Sequence, residues 1–287
     1  MTISSKNLSN NFQSQIENYS GRTFVIKYGG SIVNNLEAQK AFLEDIASFI
    51  KHGIKIILVH GGGPEINKWL KKTSIESRFL QGLRVTDKDT MEIVEMALSG
   101  NVNKKLSSAL GAIGVNALGI SGRDCKILIA KKSFAVDEKG SKIDIGYVGE
   151  VISVNSKVLI NLLGIGILPV ISPVATDGNG NAYNINADYA ASSIASALNA
   201  EKLIILTDIP GVLKDINNPS SLISFLTPQL IEEYINEGFI DGGMIPKLRC
   251  CSKAIKGGAK NVHLIDGREN HALANELFSN SGTRISL

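Results

Sequence analysis

Apolar runs of strand length recur along the chain, each closed by glycine, proline or a polar turn. They are Thr23 to Lys27, Lys55 to His60, Val115 to Ile120, Ile167 to Ile171, Lys202 to Leu206 and Val262 to Ile265. Runs of this length without polar alternation are the pattern of strands buried on both faces. Between them apolar residues return at helical spacing, as in Phe42, Ile46, Phe49 and Ile50, or Ala190, Ala191, Ile194, Ala195 and Leu198. Pro64 suits the first turn of a helix running to about Lys72, and Thr227-Pro228 supplies a cap and a first-turn proline. Thr86 with Asp89 reads as a capping box for a long helix carrying Ile93, Val94, Ala97 and Leu98, with a further helix to about Leu110. More helices are predicted over Asn155 to Leu163, after Gly242-Gly243 and over His271 to Phe278. Strand, helix, strand, glycine turn and helix is the grammar of a mainly parallel α/β sheet. Leu80 to Thr86 reads as a hairpin or extended segment, Ile127 to Val151 as hairpins on the sheet's rim, and Asp177 to Asn181 as a polar turn. Ahead of the first strand, Leu8, Phe12, Ile16 and Tyr19 make one stripe of a short helix. Such a helix must dock on its own domain or on a second subunit.

Composition narrows the class. The 287 residues, 44% hydrophobic and 20% charged, suit one large domain or two closely joined lobes. A shift toward glycine turns and an alanine-rich helix near Gly180 marks a lobe boundary. The expected units are a helical extension over residues 1–20, an N-terminal lobe over 21–180 and a C-terminal lobe over 181–287. Thirty basic and 27 acidic residues give a net charge of +3, too balanced to argue for nucleic acid or a membrane surface. Cys125, Cys250 and Cys251 form neither a disulfide framework nor a metal-ligand spacing, which predicts a reducing compartment and no metal held by the protein. The apolar region from Val158 to Val174 is broken by Asn161, two glycines, Pro169 and Ser172 and is not a membrane span. The first residues lack the charged and apolar regions of a secretory signal; their Ser/Asn-rich character leaves a trimmed organelle-targeted protein open.

The chemistry gathers where strands end. Lys27-Tyr28-Gly29-Gly30-Ser31 closes the first strand with a cation and two glycines, and His60-Gly61-Gly62-Gly63 closes the second. Thr207-Asp208 closes a later one. In open parallel sheets ligands bind beyond the carboxyl ends of strands. Glycine loops there let backbone N–H groups approach an anion, so a phosphate-bearing ligand is predicted. No G-x-x-x-x-G-K-[ST] occurs, and no G-x-G-x-x-G follows a strand. The run from Asp177 to Asp188 imitates a calcium loop but has Ala182 where glycine is needed and Asp188 in place of the usual glutamate. Asp188 falls in the first turn of a helix, Asn184 and Asn186 alternate as amide donors, Lys247 opens another helix, and Arg84 could grip a carboxylate bidentately. Alone, none of these is specific.

Taken in order, these segments resemble the amino acid kinase family. The resemblance rests on Lys27-Tyr28-Gly29-Gly30, His60-Gly61-Gly62-Gly63-Pro64, Asn184-Ile185-Asn186-Ala187-Asp188, Thr207-Asp208-Ile209-Pro210-Gly211-Val212-Leu213 and Gly242-Gly243-Met244-Ile245-Pro246-Lys247. Gly82-Leu83-Arg84-Val85-Thr86-Asp87, Thr90-Met91-Glu92 and Gly100-Asn101-Val102-Asn103-Lys104 resemble its acetylglutamate kinase branch. The resemblance runs from about Tyr19 to Gly282. It implies a three-layer αβα sandwich around a mainly parallel open sheet, and phosphoryl transfer from ATP to the side-chain carboxylate of N-acetyl-L-glutamate, the second step of arginine synthesis by the acetylated route. Lys27 and Lys247 would flank the transferring group, with Asp188 holding both. Gly62, Gly63, Arg84 and Asn184 would hold the substrate; Gly29, Gly30, Thr207, Asp208, Gly211, Leu213 and Met244 would neighbour the nucleotide. Mg2+ would ride on the ATP phosphates. The N-terminal helix is similar to the extension of hexameric, arginine-inhibited members, trimers of dimers, which implies an arginine site at Tyr19, Lys214, His263, Glu276 and Gly282. Some plant and cyanobacterial members bind a signalling protein of the PII type. A cytoplasmic location is expected, with the plastid stroma as the alternative. The competing readings are kinases acting on aspartate, glutamate, carbamate or UMP, and a non-catalytic arginine sensor on the same fold.

Overall fold

A computed structural model describes residues 15–29, 35–137, 139–215, 218–279 and 281–287. Its centre is an eight-stranded sheet of β1 (Thr23–Tyr28), β2 (Lys55–His60), β3 (Ala117–Ser121), β4 (Leu168–Ser172), β5 (Lys202–Thr207), β6 (Phe225–Leu226), β7 (Val262–Asp266) and β8 (Thr283–Ile285). The order across the sheet is β6-β8-β7-β5-β1-β2-β4-β3. Pairing is parallel throughout its middle, and β8 runs antiparallel to β7 near one edge. The helices are α1 (Leu36–Lys51), α2 (Gly63–Lys72), α3 (Lys88–Glu95), α4 (Asn103–Ala112), α5 (Ser156–Gly164), α6 (Ala187–Ala197), α7 (Pro228–Asn236), α8 (Met244–Lys256) and α9 (Ala272–Ser279).

Alternation along the strands builds three layers. Phe24, Ile26, Ile56, Leu58, Ile204 and Leu206 pack on Phe42, Ile46 and Phe49 of α1, Leu110 of α4 and Leu273 of α9. Val25, Ile57, Val59, Leu203 and Ile205 pack on the opposite side against α6 and α8, through Ala191, Ile194, Leu248 and Ile255. Both faces are covered, which is why these strands read as continuous apolar runs. Cys251 belongs to this core, and Cys250 is buried beside α6, where its thiol donates to the Asp188 carbonyl and burial pushes it up to about 12. Strands from both sides of the Gly180 boundary share the sheet: β1 lies between β2 and β5.

The rim hairpins are more than hairpins. Leu128–Val136 and Lys142–Val154 pair with two register shifts and close into a four-stranded barrel with Val174–Thr176 and Ala182–Asn184. The last two strands have three residues each, too few to show a period. Asp87, not Thr86, caps α3, its side chain accepting from the Thr90 N–H at 2.8 Å. Thr86 is instead fixed by the barrel, donating its N–H to Ile145 and accepting from Tyr147. The helix then continues through a π-helical segment, Met96–Val102, into α4.

Leu8 and Phe12 lie outside the described residues. Residues 15–17 are helical, Ile16 is fully buried, and Tyr19 meets Phe24 edge-on with ring centroids 5.2 Å apart. The carboxyl end of the predicted stripe therefore docks on its own core. Among the described residues no helix is long and apolar enough to cross a membrane.

Candidate active site

Lys27 shares the face of Val25, so the pleat aims it from β1 toward α6 and α8. Asp188 lies in the first turn of α6, where the Asn186 side chain accepts its N–H at 2.8 Å. Asn186 is thus a helix cap through Oδ1, which leaves its Nδ2 group to donate as expected. Lys247 lies in the first turn of α8. The three converge: Lys27 Nζ is 2.9 Å from Asp188 Oδ1, and Lys247 Nζ is 2.8 Å from Oδ2. Burial alone would raise the Asp188 carboxyl, but the two ammonium charges hold it at about 2. Each carboxylate oxygen thus faces one ammonium group. A lysine in the first turn of a helix opposes the helix dipole, and one beside a strand's end loses solvation. Each is tolerated here because Asp188 offsets it, a local conflict of the kind found where function sets the residues.

The substrate candidates also come together. Gly62, Gly63, Arg84 and Asn184 line one cavity of about 180 Å³, which extends to Asn186 and Ala187, immediately before Asp188. Gly62 packs closely on the π-helical segment: a Cβ there would come 2.5 Å from Leu98 Cδ2, so a larger residue would have to displace that side chain. Arg84 closes a hairpin whose turn residues, Gln81 and Gly82, both have positive φ. Asn184 donates its amide to the Thr86 hydroxyl at 3.2 Å. Gly29 follows β1 at the same edge of the sheet, and Gly30 lies outside the described residues.

Sequence reasoning treated His60 only as a neighbour of the glycines and gave Asn103 no role of its own. Both are fully buried. His60 Nδ1 bonds the Gly61 carbonyl at 2.8 Å and Nε2 faces Asn103 Nδ2 at 3.1 Å, an arrangement that calls for the Nδ1–H tautomer. Asn103 also donates to Val170 and Ile120, tying the ends of β2, β4 and β3 behind the glycine loop. Burial pulls the His60 imidazole down from 6.5 to about 4. The fold favours its neutral form, so this contribution is complete above pH about 6.5 and is lost as pH falls toward 4. Urea unfolding should show about 3 kcal/mol of such loss. His60→Gln should lack that part of the slope, and equal slopes in the two proteins would contradict the assignment.

Gly211, Leu213 and Met244 line a second cavity of about 410 Å³ with Ile209, Phe239 and Asp241. Met244 is one helical turn from Lys247 in α8, as Ala187 of the first cavity is next to Asp188 in α6, so each cavity has a lining residue close in the chain to the lysine–aspartate–lysine cluster. Thr207 is buried at the end of β5, its hydroxyl accepting the Ile209 N–H at 3.1 Å, and Asp208 is exposed.

The predicted arginine residues divide. Tyr19, His263 and Glu276 gather at the amino end of the strands around Lys202, which sequence reasoning missed. Glu276 Oε1 is 2.9 Å from Lys202 Nζ and 2.7 Å from His263 Nδ1, while Lys202 Nζ sits 5.1 Å from the Tyr19 ring centroid. Gly282, with φ +87°, packs where a Cβ would strike the Leu264 carbonyl, next to His263. Lys214 does not join them: it follows the carboxyl end of β5 and lines the second cavity. The physical reason is strand direction, since Lys202 begins β5 and Lys214 comes after its end.

Residues 22–266 match the amino acid kinase family. The chain is 54% identical to the acetylglutamate kinase of Clostridium acetobutylicum over 274 residues, 95% of this chain and 92% of the relative. It is 48% identical to that of Gracilaria tenuistipitata var. liui over 267 residues, 93% of this chain and 92% of the relative. Among solved structures it resembles an N-acetylglutamate synthase from Neisseria gonorrhoeae complexed with coenzyme A and N-acetyl-glutamate, with a TM-score of 0.84 and 23% identity over 99% of this chain. This chain spans 64% of that protein, and the likeness shows the fold alone. A mainly parallel αβα sandwich in which two lysines meet one aspartate thus agrees with the sequence matches: the chain is a kinase and belongs to the amino acid kinase family.

Proposed function

We propose that the protein transfers the γ-phosphoryl group of ATP to the side-chain carboxylate of N-acetyl-L-glutamate, giving N-acetyl-L-glutamyl 5-phosphate and ADP in arginine biosynthesis. The observation that carries this reading is the position of the two cavities. The one containing Arg84 ends at Ala187 beside Asp188, and the one containing Met244 ends one turn from Lys247. Arg84 would take the α-carboxylate of the substrate, Asn184 and the N–H groups of Gly62 and Gly63 its other polar atoms. The ATP base would lie against Leu213 and Met244. A side-chain carboxylate oxygen forms the new bond to the γ-phosphorus, and the bond to the β–γ bridging oxygen breaks. Two anions are joined in this step, so positioning and cations must supply most of the catalysis. Lys27 and Lys247 would offset charge on the moving group, while Asp188 would hold both ammonium groups in place. Mg2+ belongs to this reading as the ion carried by the ATP phosphates, because both Asp188 oxygens already face lysines. A hydroxamate assay with N-acetyl-L-glutamate, L-aspartate and L-glutamate tests the assignment. Turnover confined to the acetylated acid is expected; turnover of another acid but not of acetylglutamate would sink it.

L-Arginine as an inhibitor is proposed for the Lys202–His263–Glu276 cluster. Glu276 Oε2 and His263 Nε2 are buried and have no hydrogen-bond partner among the described residues. A guanidinium offers donors only and could satisfy both acceptors. Titrating activity with arginine should give inhibition in the wild type that is weakened by Glu276→Gln.

A further inference from the structure

The geometry points to Asn67 and Ser77 as positioning residues that set substrate selectivity by fixing the plane of Arg84. Arg84 is only 7% exposed, yet the groups that grip it come from the surface. Asn67 Oδ1, on α2, accepts from Arg84 Nη2 at 2.7 Å. The Ser77 hydroxyl, on the loop between α2 and the hairpin, accepts from Arg84 Nη1 and reaches Asn67 Oδ1 at 3.4 Å, closing a three-membered ring. Phe79 covers one face of the guanidinium, with its ring centroid 4.6 Å from Cζ. A guanidinium has five N–H donors in a rigid fork. The ring takes two, and three remain for the cavity that Arg84 lines with Gly62, Gly63 and Asn184.

Bidentate recognition of a carboxylate depends on the plane of the fork as much as on its charge. Beyond the Phe79 ring of its own hairpin, an arginine on a two-residue strand has little else to hold that plane. Asn67 and Ser77 belong to a helix and a loop outside the hairpin, so their bonds lock the arginine to the rest of the lobe. Neither residue lines the cavity, so both act through Arg84. The inference rests on Arg84 binding the α-carboxylate of the substrate. It adds that discrimination for that carboxylate is lost when the ring is opened, even with the charge in place.

The test compares N-acetyl-L-glutamate with 4-acetamidobutyrate, which keeps the reacting carboxylate and the acetamido group but lacks the α-carboxylate. The ratio of kcat/KM for the two acids is measured in the wild type, in Arg84→Ala and in the double variant Asn67→Ala/Ser77→Ala. Both altered positions in the double variant are exposed, so the fold should be retained, which a thermal melt checks. The double variant should lower the ratio about tenfold, through KM for acetylglutamate, with KM for ATP within about twofold. Arg84→Ala should lower the ratio further. If Arg84→Ala leaves the ratio unchanged, Arg84 does not read the α-carboxylate and the inference falls with that reading. If Arg84→Ala collapses the ratio but the double variant stays within about twofold of wild type, only the positioning role is overturned.

Discussion

Replacing Asp188 with asparagine should lower kcat about 100-fold while leaving the protein folded at neutral pH. The aspartate joins two lysines that arrive from different elements, Lys27 from β1 and Lys247 from α8. Asparagine nearly matches its shape but carries no charge. Two ammonium groups in a partly buried site would then repel by on the order of a few kcal/mol. One would swing toward solvent, and the site would lose its paired cations. Burial pulls the Lys247 ammonium down and Asp188 more than restores it, so the variant should also show a rate that falls as this lysine loses its proton at lower pH than in the wild type. Stability at acid pH should change in a defined direction. The folded carboxyl sits at about 2 against an ordinary 3.8, so its contribution is full above pH about 4 and is lost as pH falls toward 2. That contribution is about 2 kcal/mol, and the asparagine variant should lack it. A kcat within about threefold of wild type would contradict the role given to Asp188.

Glu276→Ala should cost about 3 kcal/mol of stability, read from urea unfolding at neutral pH. Glu276 is fully buried with Lys202 and His263, and both partners meet the same oxygen. Burial alone would raise its carboxyl, but His263 and Lys202 bring it below the ordinary carboxylate range. Burial keeps His263 mainly neutral, so Lys202 supplies the balancing charge. Removing the carboxylate leaves that ammonium buried against the rings of Tyr19 and Phe24, which replace only part of the lost attraction. Glu276→Gln should cost less, because its amide oxygen still accepts a hydrogen bond. An alanine variant within about 1 kcal/mol of wild type would show that the cluster is not a stabilising element.

The central sheet was legible because its strands are covered on both faces, so their apolar runs carry no ambiguity of face. The carboxyl-edge location of the glycine loops followed from strand order. The meeting of Lys27, Asp188 and Lys247 did not follow from any period, since they are separated by 161 and then 59 positions along the chain. It came through the resemblance of ordered segments. Short pieces were illegible for a physical reason: β6, β8 and two barrel strands are held by neighbours rather than by their own pattern. Thr86 looked like a helix cap because Ser and Thr residues often are, but the barrel claimed its backbone and Asp87 capped the helix. Lys202 and Lys214 show the limit most clearly. Both are lysines near Thr207-Asp208, and only the direction of β5 places one at the Glu276 cluster and the other beside the second cavity.

In the proposed reaction Lys27 and Lys247 together promote phosphoryl transfer to acetylglutamate. The most direct measurement is kcat with ATP and N-acetyl-L-glutamate for Lys27→Met and Lys247→Met, each beside wild type at saturating substrates. Methionine keeps an unbranched stem and removes the charge. Each variant should lose at least about 1000-fold in kcat. Retention of more than about a tenth of the wild-type rate by either one would contradict it.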